Sequence, residues 1–321
     1  MNEHRLPSLD VVVPTHNTRA ATLRCVESIV SQSGVDLRCL VVDNASVDGT
    51  AAAIAARWPD VTVIDNEANV GYGRACNRGA AASSGDLLLF LNSDIVVHDG
   101  SLERLVAFLA QHPQHVAATG RLVDLGSDRV QYGFAIRAYP RLSAQLALLF
   151  GLERAWPTNR VSRRQLMADF DWESTQDLTG QPAGACILCR REAFEAVGGF
   201  DERFAFWFDD VDFLRRLSRV GPIAYVHDAV FDHAGSLSFS AWDRADVIRA
   251  RYAGLLRYFR KHHSRGENAA LRGVIAALAA VRSLALVPFD RDSSIAYLEV
   301  ARLALASDRD RSTARPKAAR R

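Results

Sequence analysis

Two short stretches of the sequence place acidic side chains beside apolar runs, where they could do chemistry. The apolar run at 87–91 is followed by Asn92-Ser93-Asp94 before the chain turns apolar again. In the second stretch, carboxylates at positions 209, 210 and 212 follow the aromatic-rich segment 204–208. Such a carboxylate either caps the end of a strand or helix, or serves in binding or proton transfer. The elements that carry it decide between these roles.

The first hundred residues alternate apolar strands with helices. The pattern predicts four buried strands, in the stretches LDVVV, LRCLVVD, VTVID and DLLLFL. Between them it predicts helices at 18–31, 47–58 and 71–82, the first with Leu23, Val26 and Val30 on one stripe. Alternating buried strands and helices predict an α/β fold with a mainly parallel sheet and right-handed crossovers.

A polar cluster follows each predicted strand. These clusters are PTHN at 14–17, DNAS at 43–46, NEAN at 66–69 and NSD at 92–94. In parallel sheets, ligands bind outside the carboxyl ends of the strands. An Asx turn or a helix cap explains any one cluster well, but explains four together poorly. The sequence therefore predicts a ligand site at this edge of the sheet.

The third predicted helix begins with a glycine-containing stretch, GYGRACNRG. Gly71 and Gly73 fit a dinucleotide fingerprint, but Cys76 stands where its third glycine belongs. The first strand-to-helix turn contains no glycine. A nucleotide in this site must therefore be held by other means.

The composition is that of an ordinary soluble globular protein. The chain has 321 residues, of which 49% are hydrophobic and 24% charged, so most of it is not disordered. A net charge of +2 gives no argument for binding nucleic acid. The first ten residues lack the apolar stretch of a secretory signal, which predicts a cytoplasmic protein.

The five cysteines are scattered and odd in number, which suits a reducing compartment better than a disulfide framework. Cys186 and Cys189 form a C-x-x-C pattern inside the apolar stretch GACILC. This stretch predicts a strand, in which positions three apart point to opposite faces. We therefore expect buried thiols here, and zinc or redox chemistry is the less favoured alternative.

Five motifs occur in order between residues 8 and 238: VVVPTHN, VVDNASVDGT, NVGYGRACNRG, LNSD and GACILCRREAFEAVGGFDERFAFWFDDVDFLRRL. Together they resemble the inverting family-2 glycosyltransferases of the GT-A fold, especially the rhamnosyltransferase-like branch. The resemblance implies a mainly parallel central sheet flanked by helices, with a Rossmann-like nucleotide half and a C-terminal helical extension. The motifs are specific for the family and much less specific for the sugar.

The resemblance implies that the strand-end loops hold a nucleotide. Asp43 would accept a hydrogen bond from N3–H of uracil or thymine, because an ionised carboxylate only accepts. Arg74 could equally be a solvent-facing helix residue, as could Arg78. The implied nucleotide-binding set is Pro14, Thr15, Asn17, Asp43, Asn69, Arg74, Asn77, Asn92 and Ser93.

NSD stands where the family carries a D-x-D-type motif whose last Asp binds a divalent metal. Asn92 replaces the first Asp, so Asp94 is the implied metal ligand and a strand-end cap is its alternative role. His233, in FDHAGSLS, is the second implied ligand; it could instead be structural, and the neighbouring Asp232 is its rival. Oxygen and imidazole ligands suit Mn²⁺ or Mg²⁺.

The family's Glu-Asp motif corresponds to Asp209-Asp210. The resemblance implies that Asp210 is the general base that deprotonates an acceptor hydroxyl, with Asp209 in place of the Glu. Ordinary capping of a helix by these acids is the alternative. Trp207, Gly184 and Ala185 are the implied acceptor contacts.

Domain organisation follows from the same motifs. We predict a catalytic domain at 1–240, with a nucleotide-sugar half at 8–120 and an acceptor half at 121–240, and a helical extension with a basic tail at 241–321. The irregular region 121–181 either shapes the acceptor site or is a surface insertion. The apolar segment 274–287 contains Arg282 and is shorter than the ~20 residues of a spanning helix, which predicts a packed or membrane-surface helix.

The resemblance implies metal-dependent inverting transfer of a sugar, with L-rhamnose as the first candidate, from a dTDP- or UDP-sugar. The acceptor would be a hydroxyl of a glycan or a lipid-linked molecule in cell-surface polysaccharide synthesis. A sugar-nucleotide nucleotidyltransferase is one alternative, but PTHNTRAA lacks the glycine-rich loop that it needs. A catalytically silent nucleotide-sugar-binding protein is another. We expect a cytoplasmic protein with peripheral membrane contact through its C-terminal region.

Overall fold

The computed structural model describes residues 6–235 and 242–306. The described chain divides into two compact units. The first contains residues 6–138, 166–201 and 210–235, and the second contains 139–165, 202–209 and 242–306. The predicted basic tail, and Ser236 and Ser238 of the FDHAGSLS motif, lie outside the described residues.

A nine-stranded sheet forms the centre of the first unit. Its first part consists of β1 (Leu9–Thr15), β2 (Leu37–Asp43), β3 (Thr62–Asp65) and β4 (Leu87–Leu91). These strands lie in the order β3-β2-β1-β4 and are all parallel. The helices α1 (Arg19–Val30), α2 (Thr50–Arg57) and α3 (Tyr72–Ala81) connect them. This half confirms the predicted parallel sheet, and its apolar runs are continuous because both faces of the sheet are covered.

The second part of the sheet mixes strand directions. β10 (Cys186–Arg190) runs antiparallel between β4 and β6 (Ala117–Asp124), and β11 (Ile223–His233) runs parallel to β6. Two short strands, β5 (Ile95–Val97) and β8 (Gln176–Asp177), pair antiparallel with β11. Because β10 is reversed, the residues just before it, 183–185, lie at the edge where β4 ends.

The remaining elements of the first unit surround this sheet. They are α4 (Ser101–Gln111), the two-stranded ladder of β7 (Ile136–Arg137) and β9 (Gln181–Pro182), α8 (Arg191–Ala196), and α9 (Asp209–Leu217) from Asp210 onward. All five cysteines are buried, and none of them forms a disulfide within the described residues. Burial raises the pKa of the Cys186 thiol to about 12, which confirms the prediction of buried thiols on β10.

The second unit is helical. Its elements are α5 (Leu142–Leu149), α6 (Leu152–Ala155), α7 (Arg160–Gln165), α10 (Arg244–His262), α11 (Arg265–Leu286) and α12 (Arg291–Leu305). The predicted C-terminal helical region is thus confirmed. Part of the region 121–181 also belongs to this unit, since residues 139–165 form short helices that group with the C-terminal ones.

The helix α11 is longer than the apolar segment 274–287 from which it was predicted. Ser264 caps it, because the Ser264 side chain accepts a hydrogen bond from Glu267 N–H and the Glu267 side chain bonds back to the Ser264 backbone. The helix therefore begins at Arg265 and contains 22 residues. By length and composition it is the one helix of the described chain that could cross a membrane. Its Arg272 and Arg282 donate hydrogen bonds within the second unit.

Candidate functional site

The parallel register aligns the polar loops at one edge of the sheet, as predicted. Thr15 pairs with Asp43 across β1 and β2, and Asp43 pairs with Asp65 across β2 and β3. Beyond the strands, Asn44 N–H donates to Thr15 O at 2.8 Å, and Asn66 N–H donates to Asp43 O at 2.8 Å. The first three polar loops are therefore tied side by side.

Asn17 joins the PTHN loop to the DNAS loop, and Asp43 fixes the DNAS loop from within. Asp43 is buried, and its Oδ1 accepts a hydrogen bond from Ser46 N–H at 2.8 Å. Asn17 adopts a left-handed backbone conformation with φ of 52°. Its Oδ1 accepts from Val47 N–H at 2.8 Å, and its N–H donates to Ser46 Oγ at 2.9 Å. The PTHN and DNAS loops thus form one rigid wall.

Hydroxyl groups connect this wall to NSD. The Oγ1 atoms of Thr15 and Thr22 lie 2.8 Å apart, and Thr18 Oγ1 lies 2.9 Å from Thr15 Oγ1 and 3.1 Å from Ser93 Oγ. Thr15 and Ser93 are both buried. Their hydroxyls are engaged within the fold, and Pro14 is buried in β1. Pro14, Thr15 and Ser93, which were predicted to bind the nucleotide, are therefore buried and support the loops from within the fold.

Three of the predicted nucleotide-binding residues, Asn69, Arg74 and Asn77, lie in or just before α3. Asn69 Oδ1 accepts from Gly71 N–H at 3.1 Å, and Arg74 is exposed. Asn77 Nδ2 donates to Phe200 O at 2.9 Å, and Asn77 Oδ1 accepts from Phe200 N–H at 2.8 Å. The prediction that Asn77 contacts the nucleotide gains no support, because its side chain anchors a different loop.

Asp94 and His233 meet at the end of the sheet. β5 pairs with β11 so that Ile95 lies opposite His233, which brings the preceding Asp94 beside the imidazole. His233 Nε2 lies 3.4 Å from Asp94 Oδ1, and the side chains are 2% and 4% exposed. The rival Asp232 is on the opposite face of β11, where His98 Nε2 lies 2.8 Å from its Oδ1. The structure thus pairs Asp94 with His233.

The buried pair fits a divalent cation. His233 Nε2 has no hydrogen-bond partner among the described residues, although nearly every buried polar atom in proteins has one. It faces a carboxylate oxygen, and these two donor types suit Mn²⁺. Within residues 6–235 and 242–306, no group of three or more His, Cys, Asp or Glu side chains is placed to hold a metal. The chain therefore offers two ligands, and a bound substrate or water would supply the others.

Asp210 lies at the start of α9, beside the segment 183–185. Its Oδ1 accepts from Val211 N–H at 2.8 Å, and its Oδ2 accepts from Gly184 N–H at 3.0 Å. Burial raises the pKa of this carboxyl group above its usual value; the two N–H donors and the positive charge of Arg137 lower it by less. A half-buried carboxylate with a raised pKa is suited to accept a proton.

The segment 183–185 connects the two carboxylate sites. Asn92 N–H donates to Ala185 O at 2.9 Å on the side of NSD. Gly184 N–H reaches Asp210 on the other side, and Gly184 O accepts from Tyr72 OH at 2.6 Å. The predicted acceptor residues Gly184 and Ala185 therefore contact the predicted base Asp210 on one side and the NSD loop, through Asn92, on the other. The contribution of Tyr72 was not predicted from the sequence.

We expect Gly184→Ala to impair catalysis. An added Cβ would lie 2.8 Å from Asp210 Cβ and 2.9 Å from its Oδ2, so the base would have to move. Since a displacement of about 1 Å can cost about 10²-fold in rate, we expect a loss of that order in kcat with the donor KM retained. Steady-state kinetics would test this, and Gly273→Ala is a matched control because nothing lies within 4 Å of its added Cβ.

Asp209 and Trp207 belong to the second unit. Asp209 is buried. Trp207 has φ of 58° and packs edge-on against Trp242, with ring centroids 5.9 Å apart. Their proposed catalytic and acceptor-binding roles stay predictions.

A cavity of about 570 Å³ adjoins His233 in the first unit. Sequence reasoning did not single out the residues that line it, apart from His233. The lining residues are Asp124, Arg129, Val130, Gln131, Tyr132, Phe134, His233 and Gly235.

Comparison with known proteins gives a family match and a relative that aligns over most of the chain. A model of glycosyl transferase family 2 matches residues 10–198. The N-acetylglucosaminyl-diphospho-decaprenol L-rhamnosyltransferase of Mycobacterium tuberculosis (strain CDC 1551 / Oshkosh) is 29% identical over 296 residues, covering 87% of this chain and 92% of that protein.

Two solved structures resemble the fold. The mannosyltransferase PcManGT from Pyrobaculum calidifontis, in complex with GDP-Man and Mn²⁺, has a TM-score of 0.53 at 19% identity, covering 94% of this chain and 87% of that one. S. aureus TarS 1-349 in complex with UDP has a TM-score of 0.52 at 16% identity, covering 94% and 91%. These likenesses confirm the GT-A fold predicted from the sequence.

Proposed function

Because the chain belongs to glycosyl transferase family 2 and is therefore a glycosyltransferase, we propose that it transfers a sugar, with L-rhamnose as the first candidate, from a pyrimidine nucleoside diphosphate to a hydroxyl group with inversion. The observation that carries the proposal is that the segment 183–185 joins Asp210, through Gly184 N–H, to Asn92 of the NSD loop, which also contains Asp94 of the Asp94–His233 pair. The relative from M. tuberculosis supports rhamnose as the sugar, since it aligns over most of both chains.

The choice of a pyrimidine base rests on Asp43. Its Oδ1 is engaged by Ser46 N–H, and its Oδ2 makes no hydrogen bond to another described residue. A carboxylate in this position accepts a hydrogen bond from N3–H of uracil or thymine, which a ring nitrogen without hydrogen could not donate. Asn17, in the wall formed by the PTHN and DNAS loops, and Asn69, in the NEAN loop, are further proposed contacts of the nucleotide.

The proposed cofactor is Mn²⁺ or Mg²⁺, held by Asp94 Oδ1 and His233 Nε2. When bound, such an ion neutralises negative charge on the departing diphosphate. The Mn²⁺ in the PcManGT complex supports a divalent ion without deciding which one acts here. Because Asn92 stands at the position of the first Asp, this site has one carboxylate fewer than a D-x-D motif.

The proposed reaction is a direct displacement. Asp210 takes the proton from the acceptor hydroxyl, and the hydroxyl oxygen forms a bond to the anomeric carbon of the donor sugar. The bond from that carbon to the diphosphate breaks on the opposite face, so the configuration inverts. The N–H groups of Gly184 and Val211 donate to the ionised Asp210 carboxylate and hold it in place until it accepts the proton.

The proposed acceptor is a hydroxyl of a lipid-linked glycan in cell-surface polysaccharide synthesis. Support comes from the M. tuberculosis relative, whose name specifies a diphospho-decaprenol substrate. A lipid-linked acceptor would bring the enzyme to a membrane surface on the cytoplasmic side.

The second unit provides an apolar surface suited to peripheral membrane contact. Arg282 Nη2 donates to Leu149 O at 2.7 Å, so the ends of α5 and α11 lie together. In the sequence near these two residues the unit exposes large apolar side chains: Phe150, Leu152, Trp156, Val281, Leu284, Val287 and Phe289. The Phe289 residue is 85% exposed. Apolar and aromatic groups of this kind enter the headgroup boundary of a bilayer.

Flotation with anionic and neutral liposomes tests this surface. We expect the wild type to float with anionic vesicles at low salt and Leu284→Asp to remain in solution. Val220→Asp, which alters an exposed apolar side chain of the first unit, is the matched control and should float. If the wild type does not bind anionic vesicles at low salt, the proposed membrane contact is wrong.

Calorimetry with dTDP, UDP and CDP in the presence of Mn²⁺ tests the donor class. We expect dTDP and UDP to bind and CDP, whose ring N3 carries no hydrogen, to bind at least tenfold more weakly, with Asp43→Ala removing the difference. Equal binding of CDP would overturn the proposed N3–H contact to Asp43. If no nucleoside diphosphate binds with either Mn²⁺ or Mg²⁺, the proposed donor site is wrong.

A further inference from the structure

We propose that Gln131 is a positioning residue that holds His233 with hydrogen on Nδ1 and leaves the bare Nε2 facing Asp94. This inference rests on the metal site proposed above. It concerns a residue that no motif contains, 102 positions away from His233 in the sequence.

The orientation of the Gln131 amide follows from its neighbours. Gln131 Nε2 lies 3.1 Å from Asp124 Oδ1 and 2.9 Å from His233 O, and both of these atoms can only accept. The amide NH₂ must therefore point toward them. Asp124 is further fixed by Arg129, whose Nε donates to Asp124 Oδ2 at 2.6 Å. As a result, Gln131 Oε1 is the atom that faces the imidazole.

This orientation fixes the tautomer of His233. Gln131 Oε1 lies 2.7 Å from His233 Nδ1 and cannot donate, so Nδ1 carries the hydrogen. In a neutral imidazole, Nε2 is then a bare acceptor. It faces Asp94 Oδ1 at 3.4 Å, which is longer than the 2.7–2.9 Å typical of a charge-assisted N–H···O bond. The bare His233 Nε2 and Asp94 Oδ1 are both acceptors and cannot form a hydrogen bond with each other. At this separation they can instead bind a cation together.

Phe134 limits tilting of the His233 imidazole out of its plane. Its ring stacks on the imidazole with centroids 5.0 Å apart and planes 18° from parallel. Phe134 N–H donates to Gln131 O at 3.1 Å, so both residues belong to one turn. Gln131 fixes the imidazole in its own plane, and Phe134 covers its face. Such outer partners keep a metal-binding histidine oriented and in the correct tautomer.

Gln131→Met tests the inference, because methionine has a similar size and cannot accept the Nδ1 hydrogen bond. Loss of an outer partner typically weakens metal binding about 10- to 100-fold. We expect this loss in Mn²⁺ affinity, measured by electron paramagnetic resonance in the presence of UDP, with UDP affinity in the absence of metal unchanged. Gln114→Met is the matched control at an exposed glutamine and should bind Mn²⁺ like the wild type.

The tautomer gives a second readout that needs no metal. Nitrogen-15 spectra of histidine-labelled protein, with His233 assigned by its loss in His233→Asn, should show hydrogen on Nδ1 in the wild type and the Nε2–H form gaining population in Gln131→Met. An Nε2–H wild type, or equal Mn²⁺ affinity in both proteins, overturns the role of Gln131. If the wild type has the Nδ1–H form but binds no Mn²⁺, the proposed metal site is wrong while the positioning of His233 stands.

Discussion

Asp210→Asn is expected to lower kcat/KM by about 10²- to 10⁴-fold, the usual contribution of a positioned general base. The amide cannot take a proton from the acceptor hydroxyl, while donor binding does not need the carboxylate. We therefore expect the binding of dTDP or UDP with Mn²⁺ to be unchanged. Asp228→Asn, at a carboxylate 52% exposed on the surface of the first unit, is the matched control and should keep wild-type activity.

The pH profile provides an independent check on this base. In the proposed reaction Asp210 acts as the base only when it is ionised, and burial raises its pKa above the usual 3.8. Activity should thus be present above the raised pKa and be lost as the pH falls through it. Arg137→Gln removes a positive charge that lowers this pKa, so the acidic limb of kcat/KM should move to higher pH. An acidic limb unchanged by Arg137→Gln, or an Asp210→Asn variant with near wild-type activity, would contradict the assignment of the base.

Asp94→Ala is expected to abolish the metal dependence of nucleotide binding and to lower kcat by about 10²- to 10³-fold, as for loss of one stabilising group on a departing anion. The side chain is 4% exposed and faces His233 Nε2, so its removal leaves a single protein ligand. Calorimetry of dTDP and UDP with and without Mn²⁺ measures the binding effect, and steady-state kinetics measures the rate.

Asp232→Asn separates this role from a general effect of charge. Asp232 lies one residue from His233 but on the other face of β11, where it pairs with His98. Its variant should keep the metal dependence of the wild type. If Asp94→Ala keeps it as well, Asp94 is only a cap at the end of its strand.

Much of the nucleotide half could be predicted from the sequence. Strands β1, β2 and β4 are continuous apolar runs because both faces of the sheet are covered, and such runs are easily recognised. Parallel pairing then places all carboxyl ends at one edge, so the polar residues after each run had to converge. The DNAS and NSD clusters were found in this way, whereas the roles of Asp43 and Asp94 came from the resemblance to the family. The observed parallel pairing of β1 with β2 and with β4 agrees with the predicted edge.

Other parts of the site depend on contacts that no local pattern encodes. Gln131 reaches His233 across 102 residues, and Tyr72 reaches Gly184 across 112. The amide of Asn77 was predicted near the nucleotide, yet it binds the backbone of Phe200. The reversed direction of β10 was also not predicted from the alternation of strands and helices. In each case a polar side chain or a strand is positioned by tertiary packing, which overrides its local preference.

One nuclear magnetic resonance experiment tests the proposed reaction most directly. Purified enzyme, dTDP-L-rhamnose, diamagnetic Mg²⁺ and a lipid-linked N-acetylglucosaminyl diphosphate would be followed by proton and phosphorus spectra. Direct displacement predicts release of dTDP and a product whose anomeric configuration is opposite to that of the donor. Release of dTDP with retained configuration, or formation of a nucleoside triphosphate when inorganic pyrophosphate is supplied, would contradict inverting glycosyl transfer.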